Sequence, residues 1–293
     1  MKFYVVNPDE HFERKWVKEI EATGHEGAVL YSKDFSIGIT ENTATLLKNG
    51  EPFTFDVENT FFLVRGYSRD IKDQHHFDAI FFEHLHRLGA KMSSEIYRFH
   101  KDNSQKMTMA IKCAMEGIPV PDQYIFPSVS VEEHKGRIEK DFSYPLVLKS
   151  RGATGKAVWK INSWEELQEK VSSRKPLVYI VQEYIPSTYD IRVLCYEDVI
   201  IGAMKRSSTD GFYNNISKAG RGEPVELTEE EKEIAQRASV LSGVGFSGVD
   251  IMHSPKGSLI LEVNRRPGLE GYIEYVDVDI MQKLVAEIVE KQV

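Results

Sequence analysis

Two segments near the carboxyl end of the 293-residue chain carry oxygen donors inside strand-like surroundings: Gly248-Val249-Asp250-Ile251 and Leu261-Glu262-Val263-Asn264. Strand side chains alternate, which groups Ile260, Glu262 and Asn264 on one face and Leu259, Leu261 and Val263 on the other. With Met252 and Ser258 flanking a loop His253 to Gly257, Asp250 falls opposite Ile260 and diagonal to Glu262. Such diagonal neighbours lie within about 8 Å, a gap that one or two cations bridge. Carboxylate and amide oxygens are hard ligands that suit magnesium held partly by substrate phosphates. The rival reading is an ordinary sheet whose polar face meets water. Against it stands the turn Asn264-Arg265-Arg266-Pro267-Gly268, which closes the strand with several functional groups.

A second chemically suggestive stretch is Lys149-Ser150-Arg151-Gly152-Ala153-Thr154-Gly155-Lys156-Ala157-Val158. Small residues such as Gly152, Thr154 and Gly155 let backbone N–H groups approach phosphate oxygens, and the flanking lysines neutralise them. It is not a Walker loop: Ala157 stands where Ser or Thr is needed, position 150 is not glycine, and a strand follows instead of a helix. A glycine turn in a hairpin and a phosphate lid fit the loop equally. The third stretch, Gln182-Glu183-Tyr184-Ile185-Pro186, joins two units, where ligands often bind. It reads either as a purine-edge site or as a plain linker. Of the histidines, His84 and His86 sit two apart in a helical pattern and point about 200° from each other, so they cannot share an ion.

These segments need elements to hold them. Strand, helix, strand, helix runs through Phe3 to Val6, the Phe12/Trp16/Ile20 stripe, Thr60 to Val64 and the Phe77 to Leu88 stripe. That grammar belongs to a parallel α/β unit. A second unit starts with a helix carrying Met107, Ala110, Ile111 and Ala114, ended by Ile118-Pro119-Val120-Pro121. Strands follow at Tyr124 to Phe126, Pro145 to Lys149, Ala157 to Ile161 and Leu177 to Glu183, with Ser163 and Glu166 as a capping box between the last two. The third unit has strands at Asp190 to Tyr196, Val199 to Met204, Gly248 to Met252 and Ser258 to Asn264. Thr228 and Glu231 cap its first helix, and a last helix runs from Asp279 to Lys291. Motif positions divide the chain into units 1–100, 101–186 and 187–293.

Composition narrows the function. With 45 acidic against 37 basic residues and a net charge of −8, the chain lacks the basic surface of a general nucleic-acid binder. No apolar run reaches the length of a membrane span, and Met1 to Asn7 lack the long apolar stretch and small-residue cleavage site expected of a signal peptide. Only Cys113 and Cys195 are present, which fits a reducing, cytoplasmic setting.

In order and spacing these pieces resemble an ATP-grasp enzyme of the RimK-like group of amino-acid ligases. The resemblance runs from Lys106 through Gly271. Its specific signals are Asp190-Ile191-Arg192, the pairing of Gly248-Val249-Asp250-Ile251 with Leu261-Glu262-Val263-Asn264, and Pro267-Gly268-Leu269-Glu270-Gly271. It implies an α/β fold of the α+β grasp type, with two α+β lobes preceded by an amino-terminal parallel α/β domain. It further implies that ATP and two magnesium ions, with manganese as a substitute, are bound. Lys106 and Lys149 would contact the phosphates. Gln182, Glu183, Tyr184 and Ile185 would line the adenine pocket, with Glu183 and Ile185 offering backbone groups, and Asp190 belongs to the same nucleotide set. Asp250, Glu262 and Asn264 would hold the metal. Arg192 and Asn215 would face the γ-phosphate and the acyl substrate, with Lys205 and Arg206 lining the same side.

Two departures stand out. Ala157 replaces a glycine common in family lids, and Arg265 and Arg266 replace small residues after the metal-binding Asn. The arginine pair would suit an acidic substrate, or would simply be solvated. Arg65, in Arg65-Gly66-Tyr67, is the one acceptor-site candidate in the first unit, with a loop arginine as its alternative. The implied reaction joins a carboxylate to an amine through an acylphosphate, on an amino acid, a peptide or a protein tail, without a covalent enzyme intermediate. The reading from another class is an ATP-grasp module that binds nucleotide without ligating. Neither nucleic acid nor membrane is expected as a partner, and an oligomer is left open.

Overall fold

The computed structural model describes residues 1–41, 43–67, 74–94, 105–128, 131–150, 158–173, 178–207, 221–276 and 279–292. Its first sheet is parallel, in the order β2-β1-β6-β7, with β1 (Lys2–Val6), β2 (Glu26–Leu30), β6 (Thr60–Val64) and β7 (Lys91–Met92). Helices α1 (Glu13–Ala22) and α2 (Gln74–Arg87) accompany it. All five residues of β6 are buried, as expected of a central parallel strand covered on both faces. Between β2 and β6 the chain adds an antiparallel meander of β3 (Phe35–Thr40), β4 (Thr43–Lys48) and β5 (Glu51–Pro52). Its apolar residues, Phe35 and Leu46 among them, pack with Phe62 of β6 and Phe81 of α2.

The central sheet is antiparallel, β10-β9-β11-β8, built from β8 (Gln123–Pro127), β9 (Leu146–Ser150), β10 (Val158–Ile161) and β11 (Val178–Glu183). Helices α4 (Lys135–Asp141) and α5 (Trp164–Ser172) bury Ile138, Trp164, Leu167 and Val171 against Phe126, Leu148 and Val181. At the start of α5 the Ser163 hydroxyl accepts from the Glu166 N–H at 3.3 Å, while the Glu166 carboxylate takes the Asn162 N–H at 2.8 Å. The expected capping box is therefore only half made.

The last sheet, β14-β13-β12-β15-β16, is antiparallel throughout. It comprises β12 (Tyr189–Tyr196), β13 (Val199–Ser207), β14 (Arg221–Pro224), β15 (Phe246–Ser254) and β16 (Gly257–Asn264). On one face lie α3 (Gln105–Met115) and α6 (Glu229–Ser242), with Met109, Cys113, Ile234 and Ala238 packed on Ile191, Val193, Val249 and Ile251. The core partners of α3 thus belong to the third unit, although sequence groups this helix with the second. Helix α6 has a complete capping box: Glu231 N–H to Thr228 Oγ1 at 3.3 Å and Thr228 N–H to Glu231 Oε2 at 2.7 Å. Among the described residues no helix is long and apolar enough to cross a membrane.

The opposite face carries α7 (Glu270–Tyr275) and α8 (Ile280–Gln292) and merges with the amino-terminal unit. One continuous core contains Phe3, Trp16, Ile20 and Phe61 together with Leu194, Phe246, Tyr272, Ile280 and Leu284. The approach is tight at Gly245, where a Cβ would fall 1.5 Å from the Ser93 carbonyl oxygen. Gly245→Ala should therefore destabilise the protein by about 1–3 kcal/mol through overpacking, read as a lower urea midpoint. An unchanged midpoint would mean that the two units do not dock this way in solution.

Candidate functional site

Alternation along β12 puts Ile191 and Val193 into the core under α3 and α6, which sends Asp190 and Arg192 to the other face. Antiparallel register then pairs Asp190 with Arg206 on β13 and Arg192 with Asp250 on β15. The result is a buried charge ladder. Arg192 Nε and Nη2 donate to the two Asp250 oxygens, each at 2.6 Å. Arg206 Nε and Nη2 donate to Asp190 at 2.6 and 2.8 Å, and Nη2 also reaches Asp250 Oδ2 at 3.0 Å. Two carboxylates and two guanidinium groups balance, which is how charges that are 4–7% exposed in Asp190, Arg206 and Asp250 are tolerated.

The two acids respond differently to the same burial. Desolvation pushes Asp190 up to about 6, with Arg206 only partly opposing it and Asp250 adding to it. At Asp250 burial also pushes upward, but Arg192 and Arg206 outweigh it and hold the carboxyl down at about 2. Both guanidinium groups are held above their ordinary range, the acids overcoming the cost of burial. The Tyr272 hydroxyl, pushed far up by burial, donates to the Arg192 carbonyl and steadies the strand from α7.

The hairpin register differs from the one expected. The turn is only Pro255-Lys256, with Ser254 paired to Gly257, whose φ of +108° favours glycine. This tighter turn would bring Leu261 opposite Asp250. A β-bulge then intervenes: Ile251 pairs with Ile260 but Asp250 pairs with Glu262, leaving Leu261 as the extra residue. The bulge also breaks the alternation, so Ile260 joins Val263, Val249 and Ile251 in the α3/α6 core and does not share a face with Glu262 and Asn264. Asp250 and Glu262 are direct neighbours instead of diagonal ones. Asn264 pairs with Gly248, and its Nδ2 lies 3.4 Å from Asp250 Oδ2.

This donor set fits a divalent cation. An ionised aspartate, an adjacent glutamate and an amide oxygen offer hard ligands at neighbouring register positions. Among the described residues Asp250 Oδ1 accepts only from Arg192, while Oδ2 is shared by Arg192, Arg206 and Asn264. A carboxylate oxygen has two lone pairs, so Oδ1 retains one direction for a ligand.

On the facing lobe, Lys149 Nζ donates to Gln182 Oε1 at 2.6 Å across β9 and β11. The Glu183 N–H is committed to the Asp122 carbonyl at 3.0 Å, so that half of its expected backbone offer to adenine is spent on the fold. Its carboxylate accepts from the Asp122 N–H at 2.9 Å and from Lys256 Nζ at 3.2 Å, which brings the β15–β16 turn against the junction. Ile185 is buried, and Tyr184 carries the Lys160 ammonium 4.3 Å from its ring centre. Tyr184 also lines an open cavity of about 450 Å³ with Ser187, Tyr189 and His253, on the face of β12 opposite Asp190 and Arg192.

Three expectations are corrected. Lys205 does not line the same side as Arg206. Alternation along β13 turns it to the other face, where it pairs with Glu223 at 2.7 Å and lies 4.8 Å from the Tyr189 ring centre. Arg65 is 3% exposed, donates to the Pro267 carbonyl at 3.2 Å and sits between the Trp16 and Phe246 rings, so it is a packing residue and not a substrate contact. Arg266 is neither solvated nor turned to a substrate: it binds the Tyr67 carbonyl at 2.8 Å, the Asn7 carbonyl at 3.2 Å and Asp9 Oδ1 at 3.1 Å. Arg265 lies near Tyr67, where its charge opposes the upward push of burial on that phenol. Gly152, Thr154, Gly155 and Asn215 lie outside the described residues, and Lys106 falls in the first turn of α3 with its side chain likewise outside them. Sequence reasoning passed over Tyr272 and Lys256; the first directly follows the Pro267 to Gly271 motif and could have been read with it.

Comparison with known proteins places this geometry in context. A probable alpha-L-glutamate ligase of Maridesulfovibrio salexigens is 36% identical over 147 residues, 48% of this chain and 49% of that protein, so the chain spans about half the length of that relative. A probable alpha-L-glutamate ligase of Legionella pneumophila (strain Corby) is 25% identical over 98% of this chain and 93% of its own. Among solved structures, the ATP-grasp ligase PsnB complexed with minimal precursor, Mg and ADP superimposes with a TM-score of 0.77 at 17% identity, covering 100% of this chain and 97% of its own. That likeness establishes the shared ATP-grasp fold. Residues 103–288 match the RimK-like ATP-grasp domain, and with that match across more than half its length the chain belongs to the RimK-like ATP-grasp family.

Proposed function

We propose that this protein is an ATP-dependent carboxylate–amine ligase that forms an amide through an acylphosphate, with an amino acid or peptide as substrate. The observation that carries the reading is the buried Asp190–Arg206–Asp250–Arg192 ladder beside Glu262 and Asn264. Buried ion pairs are a poor source of stability, because desolvation offsets most of their attraction. What they supply is fixed charge. Guanidinium groups already held in place by bidentate bonds need little reorganisation when negative charge develops beside them.

A carboxylate is a poor electrophile at neutral pH and must be activated. In the proposed reaction a substrate carboxylate oxygen bonds to the γ-phosphorus as the bond to the β,γ-bridging oxygen breaks, releasing ADP. The amine nitrogen then bonds to the acyl carbon, loses a proton, and the carbon–oxygen bond to phosphate breaks. Arg192, with Arg206 behind it, offsets the charge that gathers on the phosphoryl oxygens. Lys149 meets the nucleotide phosphates from the other lobe. Asp250, Glu262 and Asn264 would hold magnesium, two ions in this reading, whose chemistry there would be to neutralise phosphate charge. Neither cysteine serves as a nucleophile in this scheme: burial pushes the thiols of Cys113 and Cys195 up to about 11 and 12. The names of the relatives support an amino-acid or peptide substrate, since two are probable alpha-L-glutamate ligases and PsnB is complexed with a precursor.

The reading is tested by incubating the protein with ATP, magnesium, a pooled amino-acid mixture and short acidic peptides, with ADP and product masses as readouts. Substrate-stimulated ADP release should accompany a product whose mass is that of the two substrates less one water. Nucleotide binding with no stimulation across the pool would point instead to a non-ligating module. Glu262→Ala should abolish magnesium-dependent turnover, and full activity in that variant would overturn the cation assignment. For Arg192→Lys, which loses the bidentate fork, kcat should drop by about 100-fold or more with a smaller change in the KM for ATP. A variant that alters only KM would place Arg192 in binding alone.

A further inference from the structure

In the first sheet β2 pairs with one edge of β1 and β6 with the other, so chain order reverses between β1 and β6. In open parallel sheets the crevice at the carboxyl ends of such strands is where ligands bind, because the connecting loops splay apart there. Here a side chain from the last unit fills it. Arg266 reaches the Asn7 carbonyl just beyond β1, the Tyr67 carbonyl just beyond β6 and the Asp9 carboxylate, with its side chain only 17% exposed.

The crevice is shaped for this stem. Gly66 has φ +137°, and a Cβ there would come within 2.8 Å of Arg266 Cδ. Asn7 has φ +51° and is braced on both sides: its Nδ2 donates to the Gly66 carbonyl at 3.0 Å and its Oδ1 accepts from the Ser32 N–H at 3.0 Å. Ser32 in turn bonds to the fully buried Asp78 at 2.5 Å. Contact runs in the reverse direction as well, from Arg65 at the end of β6 to the Pro267 carbonyl. Each unit therefore lends an arginine to the other's backbone carbonyls on either side of the 266–267 peptide.

That turn is the end of the strand bearing Asn264. Pro267 packs where a Cβ on Gly248 would stand, 2.9 Å from its own Cβ, and Gly248 is the register partner of Asn264. We propose that Arg266 is a positioning residue: seated in the β1–β6 crevice, it fixes the turn after β16 and so holds the Asn264 amide beside Asp250, making the cation site depend on the amino-terminal unit. The proposal rests on the reading of Asp250, Glu262 and Asn264 as cation ligands. Three acceptors in diverging directions call for the planar fork of arginine, which a lysine ammonium cannot reproduce. Partners that orient a metal ligand typically matter about 10- to 100-fold in metal affinity.

The experiment uses full-length Arg266→Ala, Arg266→Lys and Asp9→Asn, the last removing one anchor that belongs to the amino-terminal unit. Amide hydrogen exchange of the unliganded protein should show faster exchange across 262–267 in Arg266→Ala, a smaller increase in Asp9→Asn, and no change in β9 or β11. Calorimetric ADP binding with and without magnesium should show the magnesium enhancement reduced about tenfold in Arg266→Ala, magnesium-free binding unchanged, and only partial recovery in Arg266→Lys. Equal losses with and without magnesium, or unaltered exchange across 262–267, would overturn the positioning role. A wild type whose ADP binding ignores magnesium would sink the cation reading and this proposal together, whereas enhancement that survives Arg266→Ala would sink the proposal alone.

Discussion

Everything around the site is arranged so that two aspartates and two arginines can be buried together without net charge. Each of the four needs a specific neighbour, and the neighbours come from three different strands: Asp190 and Arg192 from β12, Arg206 from β13, Asp250 from β15. Removing any one leaves an uncompensated charge in a low-dielectric setting, which costs far more than the pair contributes. Strand register is therefore under electrostatic as well as apolar constraint. A slip by one residue would turn Asp190 and Arg192 into the α3/α6 core and bring Ile191 and Val193 to the site. Core and cluster thus enforce the same register from opposite faces of one sheet.

The bulge in β16 shows how the same sheet serves both faces. A regular strand cannot put Ile260 and Val263 in one core and also set Glu262 and Asn264 beside Asp250, because residues three apart point to opposite sides. Inserting Leu261 as an unpaired residue resolves the conflict. The local irregularity is what allows an apolar core and a polar ligand set to share eight residues of strand.

Much of this could be read from residue types alone, and the limits have identifiable causes. The two-residue spacing of Asp190 and Arg192 gives a shared face by alternation. The Thr228/Glu231 capping box, the stripe of α8 and the acid-rich hairpin follow equally from local rules. Pairing register does not, since it depends on turn length and on bulges that leave no mark in a single strand's pattern; hence Asp250 meets Glu262 directly. The meander β3–β5 is only partly marked in the sequence: Phe35, Ile37 and Ile39 alternate as a strand should, but β4 carries Leu46 and Leu47 side by side and β5 is two exposed residues. The roles of the arginines are hidden from the sequence for a related reason. An Arg in a Gly/Pro-rich turn looks available for a ligand, and only tertiary structure reveals that Arg65 and Arg266 are spent on carbonyls of the opposite unit.

The distribution of cores also decides where the site can rearrange. The amino-terminal unit and the last sheet share one continuous apolar cluster, and α3 and α6 cover the other face of that sheet. Parting them would expose Trp16, Phe61, Phe246 and Tyr272 to water. The central sheet, in contrast, closes its own core with Trp164, Leu167 and Val181. It meets the last sheet through polar ties such as Lys256 with Asp122 and Glu183, and the Ile260 N–H to the Pro119 carbonyl. Exposed ion pairs of that kind contribute little and exchange readily with water. Rotation of the lobe bearing Lys149 therefore costs a few polar contacts, whereas rotation of the other two units costs a core. The charge ladder, Glu262 and Asn264 stand on the side bound by the shared cores, so the geometry that must be held closely for electrostatic work is separated from the lobe held by fewer contacts.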